Sequence, residues 1–82
     1  MVDMLTVSPN PTNGDLNVNF PEGGQYELNI CNLDGRTIES KSIKMNGSGV
    51  YALNLSSYGA STYLLRVRFD SKFEKTLKVV KM

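Results

Sequence analysis

The 82-residue sequence contains no histidine and no tryptophan, and a single cysteine. Without histidine, the Ser-His and Cys-His pairs that activate a hydrolase nucleophile cannot be assembled. One thiol and no imidazole leave no Cys/His set for zinc. Cys31 has no intramolecular partner, and one cysteine does not fix the redox compartment. It reads either as a small buried apolar side chain in a strand or as a loosely packed free thiol, and the usual burial of free cysteine favours the first. No apolar run approaches the ~20 residues of a membrane span. Met1-Val2-Asp3-Met4 has neither the basic region nor the apolar stretch of a secretory signal peptide. Basic residues are absent from positions 1–34, which hold Asp3, Asp15, Glu22, Glu27 and Asp34. All nine bases lie beyond them, giving a net charge of +1. That balance argues against nucleic-acid binding, which calls for a basic face with interleaved aromatics. There is no phosphate-cradling glycine loop and no pair of carboxylates at strand spacing. Asn10, Asn13 and Asp15 are oxygen-bearing, but the spacing and terminal glutamate of an EF-hand are missing. The residues therefore suggest no enzyme, no metal and no cofactor.

What is present is punctuation between short alternating runs. Turn signals recur at Asn13-Gly14, Glu22-Gly23-Gly24, Asp34-Gly35, Asn46-Gly47-Ser48-Gly49, Ser56-Ser57-Tyr58-Gly59 and Asp70-Ser71. Strands are expected at 5–8, 15–20, 26–32, 36–45, 50–55 and 62–70. Their inward residues include Leu16, Val18, Leu28, Ile30, Leu53, Leu55, Tyr63, Leu65 and Val67. Tyr26 and Tyr51 also fall on inward faces, whereas Arg66 and Arg68 point outward. Asp34-Gly35 signals a type I′ hairpin turn, which needs positive φ at both central positions. In the fourth run the step from Ile38 to Ile43 breaks the alternation, which a bulge or an edge position would explain. The segment 72–81 fits both a helical stripe (Phe73, Leu77, Val80) and a strand (Phe73, Leu77, Val79). The β-branched Val79-Val80 pair, the lack of a helix-opening signal and the need of six strands for a partner favour the strand. Seven short strands at regular spacing predict an all-β, antiparallel sandwich. At this length the chain is one domain, residues 1–82 with a folded core of about 5–81. It buries only ~60–65% of its unfolded surface.

The stretch from Pro9 to Gly14 reads as a stiff hook between the first two strands. Pro9 and Pro11 each fix φ near −65° and lack an N–H donor. Ser8 and Asn10 precede them and are pushed toward extended backbone. Asn13-Gly14 accepts positive φ.

Four motifs in this order, "PNPTNG" (Pro9, Asn10, Pro11, Thr12, Asn13, Gly14), "LDGR" (Leu33 to Arg36), "YLLRV" (Tyr63 to Val67) and "KVVK" (Lys78 to Lys81), resemble the C-terminal sorting domain, type A, of type IX secretion cargo in Bacteroidota. The resemblance covers the chain from about Leu5 to Lys81. It implies an immunoglobulin-like sandwich that docks an attached N-terminal cargo protein onto the outer-membrane secretion machinery. Export to the cell surface or beyond follows, with removal of the domain by a surface protease and joining of cargo to an anionic lipopolysaccharide in many members. In the family the proline-asparagine motif follows a linker where cleavage occurs; here that linker would precede Leu5, and a leader for export would stand at the start of a longer parent chain. One departure is Ser61, where members usually carry glycine two residues before the strand tyrosine; Gly59 lies two positions earlier, so the local turn is expected to be longer or differently bent. In such a context the two glycosylation sequons, at Asn46 and Asn54, mean little.

Each motif has a structural reading beside the recognition reading. The hook turns the chain between strands. Asp34-Gly35 is a turn on physical grounds, and Arg36 either pairs with an acid or stands exposed as a contact. Lys78 and Lys81 either protect a sheet edge from aggregation or, with Val79 and Val80, are read by the translocon. Weak self-association through edge strands is a further expectation. The competing function class is a generic surface module for carbohydrate binding or domain spacing. Such a module would show an exposed aromatic platform, but Tyr26, Tyr51 and Tyr63 fall on inward faces and only Tyr58 lies in a loop.

Overall fold

Period-two alternation decides the architecture, because it gives each strand one face to bury. The computed structural model describes residues 4–70 and 72–82. Seven strands follow in order: β1 (Thr6–Ser8), β2 (Asp15–Phe20), β3 (Gly24–Cys31), β4 (Thr37–Met45), β5 (Gly49–Asn54), β6 (Ser61–Phe69) and β7 (Phe73–Lys81). They form two antiparallel sheets, β1-β2-β5 and β4-β3-β6-β7. The expected boundaries hold to within two residues, and the last segment is a strand paired along its length with β6. The expected turn at Asp70–Ser71 lies partly outside the described residues. Asp70 takes a left-handed φ of 50° there.

The sheets meet through Leu16, Val18, Phe20 and Leu53 on one side and Tyr26, Leu28, Ile30, Ile43, Tyr63, Leu65, Val67 and Val79 on the other. All nine residues expected inside are buried, as is Cys31. Tyr51 is only half-buried. Phe20 and Tyr26 stack across the sheets at 4.2 Å, and Tyr26 meets Phe69 at 4.9 Å. Gly24, at φ 145°, leaves room for that cluster: a Cβ there would stand 2.4 Å from the Phe69 ring.

One local expectation changes and another is met. The β3–β4 hairpin is not a type I′ turn: Gly35 has φ 88°, but Asp34 does not take positive φ. The Gly35 N–H donates to the Asn32 carbonyl, and the Asn32 N–H to the Arg36 carbonyl, each at 3.0 Å. This closes a three-residue loop with glycine in the left-handed position. Asn32 decides the outcome, because its side-chain Oδ1 accepts from the N–H groups of Asp34 and Arg36. The break in β4 is both a bulge and an edge: Ile30 pairs with Glu39 and Cys31 with Thr37, which leaves Ile38 unpaired and 39% exposed.

The three-stranded sheet leaves the outermost strands of the four-stranded sheet overhanging. Glu39 and Lys41 of β4 therefore occupy positions opposite the buried Ile30 and Leu28 and form an ion pair at 2.9 Å. The Tyr58 hydroxyl donates to Glu39, tying the β5–β6 loop to this edge. That bond, followed by the Lys41 contact, holds the Glu39 carboxyl below its usual range. The same hydrogen bond, reinforced by burial, pushes the Tyr58 phenol up to about 12.

Two outcomes are expected. Leu65→Ala should cost about 2–5 kcal/mol in urea unfolding, a large part of the stability of a domain this size. Tyr58 binds its proton more tightly folded than unfolded. Its contribution is therefore complete below the ordinary tyrosine pKa of 10.0 and lost as pH rises through about 12. The stability difference between the native chain and Tyr58→Phe should shrink over that window, while buried Tyr26, also raised, titrates in both proteins.

Candidate functional site

Seven strands alternating in direction gather four segments at one pole of the sandwich. These are the hook between β1 and β2, the β3–β4 loop, the β5–β6 loop and the end of β7. The hook and the end of β7, far apart in sequence, are in direct contact. The Asn10 side-chain Nδ2 donates to the Lys78 carbonyl at 2.8 Å, and its Oδ1 accepts from the Val80 N–H at 3.0 Å. The Thr12 N–H donates to the Val80 carbonyl at 2.8 Å, and the Met82 N–H donates to the Thr12 carbonyl at 2.9 Å. Thr12 and Lys81 form a parallel bridge.

The interior of the hook is equally specified. The peptide bonds preceding Pro9 and Pro11 are both cis. Thr12 is 1% exposed; its hydroxyl donates to the Asp15 carbonyl at 2.5 Å and accepts from the Gly14 N–H at 3.0 Å. The Gly14 carbonyl accepts from the Leu55 N–H at 2.7 Å, which fastens the hook to the end of β5. Gly14 has φ 150°, and a Cβ on it would meet Ser56 at 3.1 Å. Beside this bend lies a shallow depression of about 280 Å³ lined by Pro9, Thr12, Asn13, Gly14, Asp15 and Ser56. The side-chain amide of Asn10 is engaged with β7, its Oδ1 accepting from the Val80 N–H. No metal-binding group of three or more acidic, Cys or His residues occurs among the described residues.

Lys78 and Val80 lie on the outer face of the four-stranded sheet, opposite Leu64 and Thr62 of β6. Val79 points inward and is 1% exposed. Lys81 pairs with Ser61, and its ammonium lies 3.4 Å from the Met82 carbonyl. Asp34, Gly35 and Arg36 are exposed at the same pole but join the site only by position, with Leu33 exposed beside them. Among the described residues, Arg36, Lys78 and Lys81 make no ion pair with an Asp or Glu side chain. Two asparagines organise the pole. Asn10 was legible as part of the hook, but its partners lie 68 and 70 positions away. Asn32 carried no signal beyond preceding the Asp-Gly turn by two residues.

No helix is long and apolar enough to cross a membrane among the described residues. A search of curated proteins returned no match. A family model described as "secretion system C-terminal sorting domain" matches residues 6–82.

Thr12→Val keeps the shape of the side chain and removes its hydroxyl, leaving the Gly14 N–H and the Asp15 carbonyl without that partner. The expected loss is about 1–3 kcal/mol in urea unfolding, the range for stranding buried polar groups.

Proposed function

The chain belongs to the family of secretion-system C-terminal sorting domains, and on that premise we propose that the type IX machinery reads it at the pole where the hook meets the end of β7. The family's role is to act as a C-terminal sorting signal for type IX secretion, delivering an attached cargo to the cell surface or the extracellular space. The observation that carries the finer reading is the clamp between Asn10, Thr12 and residues 78–82. It brings the hook and the terminal lysine-valine segment into one unit, at the same pole as the Asp34–Arg36 loop. The recognised groups are Lys78, Val80 and Lys81 with Arg36, while Val79 anchors the strand in the core and Asp34 and Gly35 shape the loop. The hook residues Pro9 to Gly14 hold the segment in place rather than perform chemistry, and the domain is non-catalytic.

In this reading residues 1–82 act as one unit, the cargo precedes β1, and a surface protease cuts ahead of Leu5 where cargo is anchored. The sandwich is of the immunoglobulin-like kind. Two features support that assignment. The first is the topology, in which the fourth strand pairs with the third. The second is Tyr63 near the start of β6, whose hydroxyl donates to the Gly59 carbonyl four residues upstream at 2.6 Å, the pattern of a tyrosine corner. Weak self-association would use the outer edge of β4, against which its bulge and its Glu39 and Lys41 side chains act. A carbohydrate-binding or spacer module gains no support, since Tyr26 and Tyr63 are buried and Tyr51 and Tyr58 half-buried.

The test fuses the domain, with its native linker, to a reporter in a type IX-competent host. Lys78→Glu with Lys81→Glu should leave the thermal midpoint nearly unchanged, because exposed charges contribute on the order of 0–1 kcal/mol. Surface reporter should fall at least about tenfold, since a like charge at an interface costs several kcal/mol. Arg36→Glu should act in the same direction. Normal display of both variants would place recognition away from this pole.

A further inference from the structure

β7 is the last strand of its sheet, so the outward backbone groups of its final residues would ordinarily be open to a partner strand. Four hydrogen bonds from the hook close that edge over residues 78–82. Two of them come from one side chain. The hook cannot pair there as an ordinary strand, because Pro9 and Pro11 have no N–H to donate. A primary carboxamide carries a donor and an acceptor side by side, as a peptide group does. The amide of Asn10 takes that place: its Nδ2 meets the Lys78 carbonyl and its Oδ1 the Val80 N–H, one step before the backbone of Thr12 continues the ladder to Val80 and Met82.

We propose that Asn10 is the positioning residue for the C-terminal recognition segment: by closing the edge of β7 it excludes strand addition there and holds the strand end in place, so that Lys78 and Val80, set on the outer face by the register with β6, are met there by a protein surface with carboxylates around an apolar centre. The inference rests on the recognition reading of this pole and adds its mode. The outer face supplies the complementary pattern. Toward the far pole it carries the charged row Glu27–Arg68–Glu74, with Arg68 and Glu74 3.5 Å apart. Toward the hook it turns apolar, with half-buried Leu64 opposite Lys78 and Val80, 36% exposed, beyond; Cys31, in the same row as Leu64, is fully covered. Lys78 stands at the border of that apolar end with no ion pair among the described residues. With the edge sealed, these side chains are what the segment offers.

Asn10→Ala tests the claim in two arms. In the purified chain, amide hydrogen exchange at Val80, whose N–H donates to Asn10, should accelerate at least about tenfold, while Val18 and Leu65 exchange as before. Uniform acceleration across the core, or none at Val80, overturns the positioning role. In the secretion assay, surface reporter should fall several-fold alongside Lys78→Glu. If Asn10→Ala frees the Val80 amide and delivery is unchanged or rises, the segment is read by strand addition or without positioning, and the proposal fails while the lysine variants still report on the pole. If the lysine variants are delivered normally, the recognition reading fails and takes this inference with it.

Discussion

The hook is the constraint on which the rest of the sandwich depends, because it is hydrogen-bonded to both sheets at once. Gly14 holds the end of β5 through Leu55, and Asn10 and Thr12 hold the end of β7. Between these contacts the buried Thr12 hydroxyl fixes the bend by accepting from Gly14 and donating to the Asp15 carbonyl. The core alone presses the sheets together but has little directionality, since apolar burial depends on area rather than orientation. Hydrogen bonds at one end add the orientation that burial lacks. In a domain that hides only ~60–65% of its unfolded surface, such a tie is a large share of what distinguishes one arrangement from its neighbours.

The unequal sheets explain where the charges lie. Three strands facing four leave both outer strands of the larger sheet with inward positions that no apolar layer covers. On β4 those positions hold Glu39 and Lys41, which pair with each other while Tyr58 donates to the carboxylate. On β7 they hold Phe73, 56% exposed, and Lys75, before Leu77 and Val79 come under cover. The two edges are protected differently. β4 relies on inward charge and the bulge at Ile38, both of which oppose edge-to-edge pairing. The end of β7 is closed by another part of the same chain.

Strand identity was readable because a one-residue slip would turn every apolar side chain to the wrong face. Leu16, Val18 and Phe20 in β2 and Tyr63, Leu65 and Val67 in β6 admitted one register each. Even the final segment, which also fits a helical stripe, is a strand, as the β-branched Val79-Val80 pair and the need of six strands for a partner predict. The loops were less legible. Asp34-Gly35 announced a turn but not its type, because the Asn32 side chain selects it. The link between the hook and the end of β7 had no local signature. An asparagine between two prolines reads as turn chemistry, and nothing near it in sequence names Lys78 or Val80. The match of the family to residues 6–82 made both segments part of one signal, but their contact is a property of the fold.

An odd number of strands has a functional consequence in the proposed reading. Each strand reverses direction, so β1 begins at the pole opposite the one where β7 ends. Cargo preceding β1 would therefore sit at the far end of a body whose longest dimension is 32 Å. The recognition pole would then face away from whatever it carries. An even-stranded sandwich of the same kind would bring cargo and signal to the same end, where a bulky cargo could cover Lys78 and Arg36. The hook, which follows β1, clasps the end of β7 and so ties the first strand of the chain to the last at the pole away from the cargo.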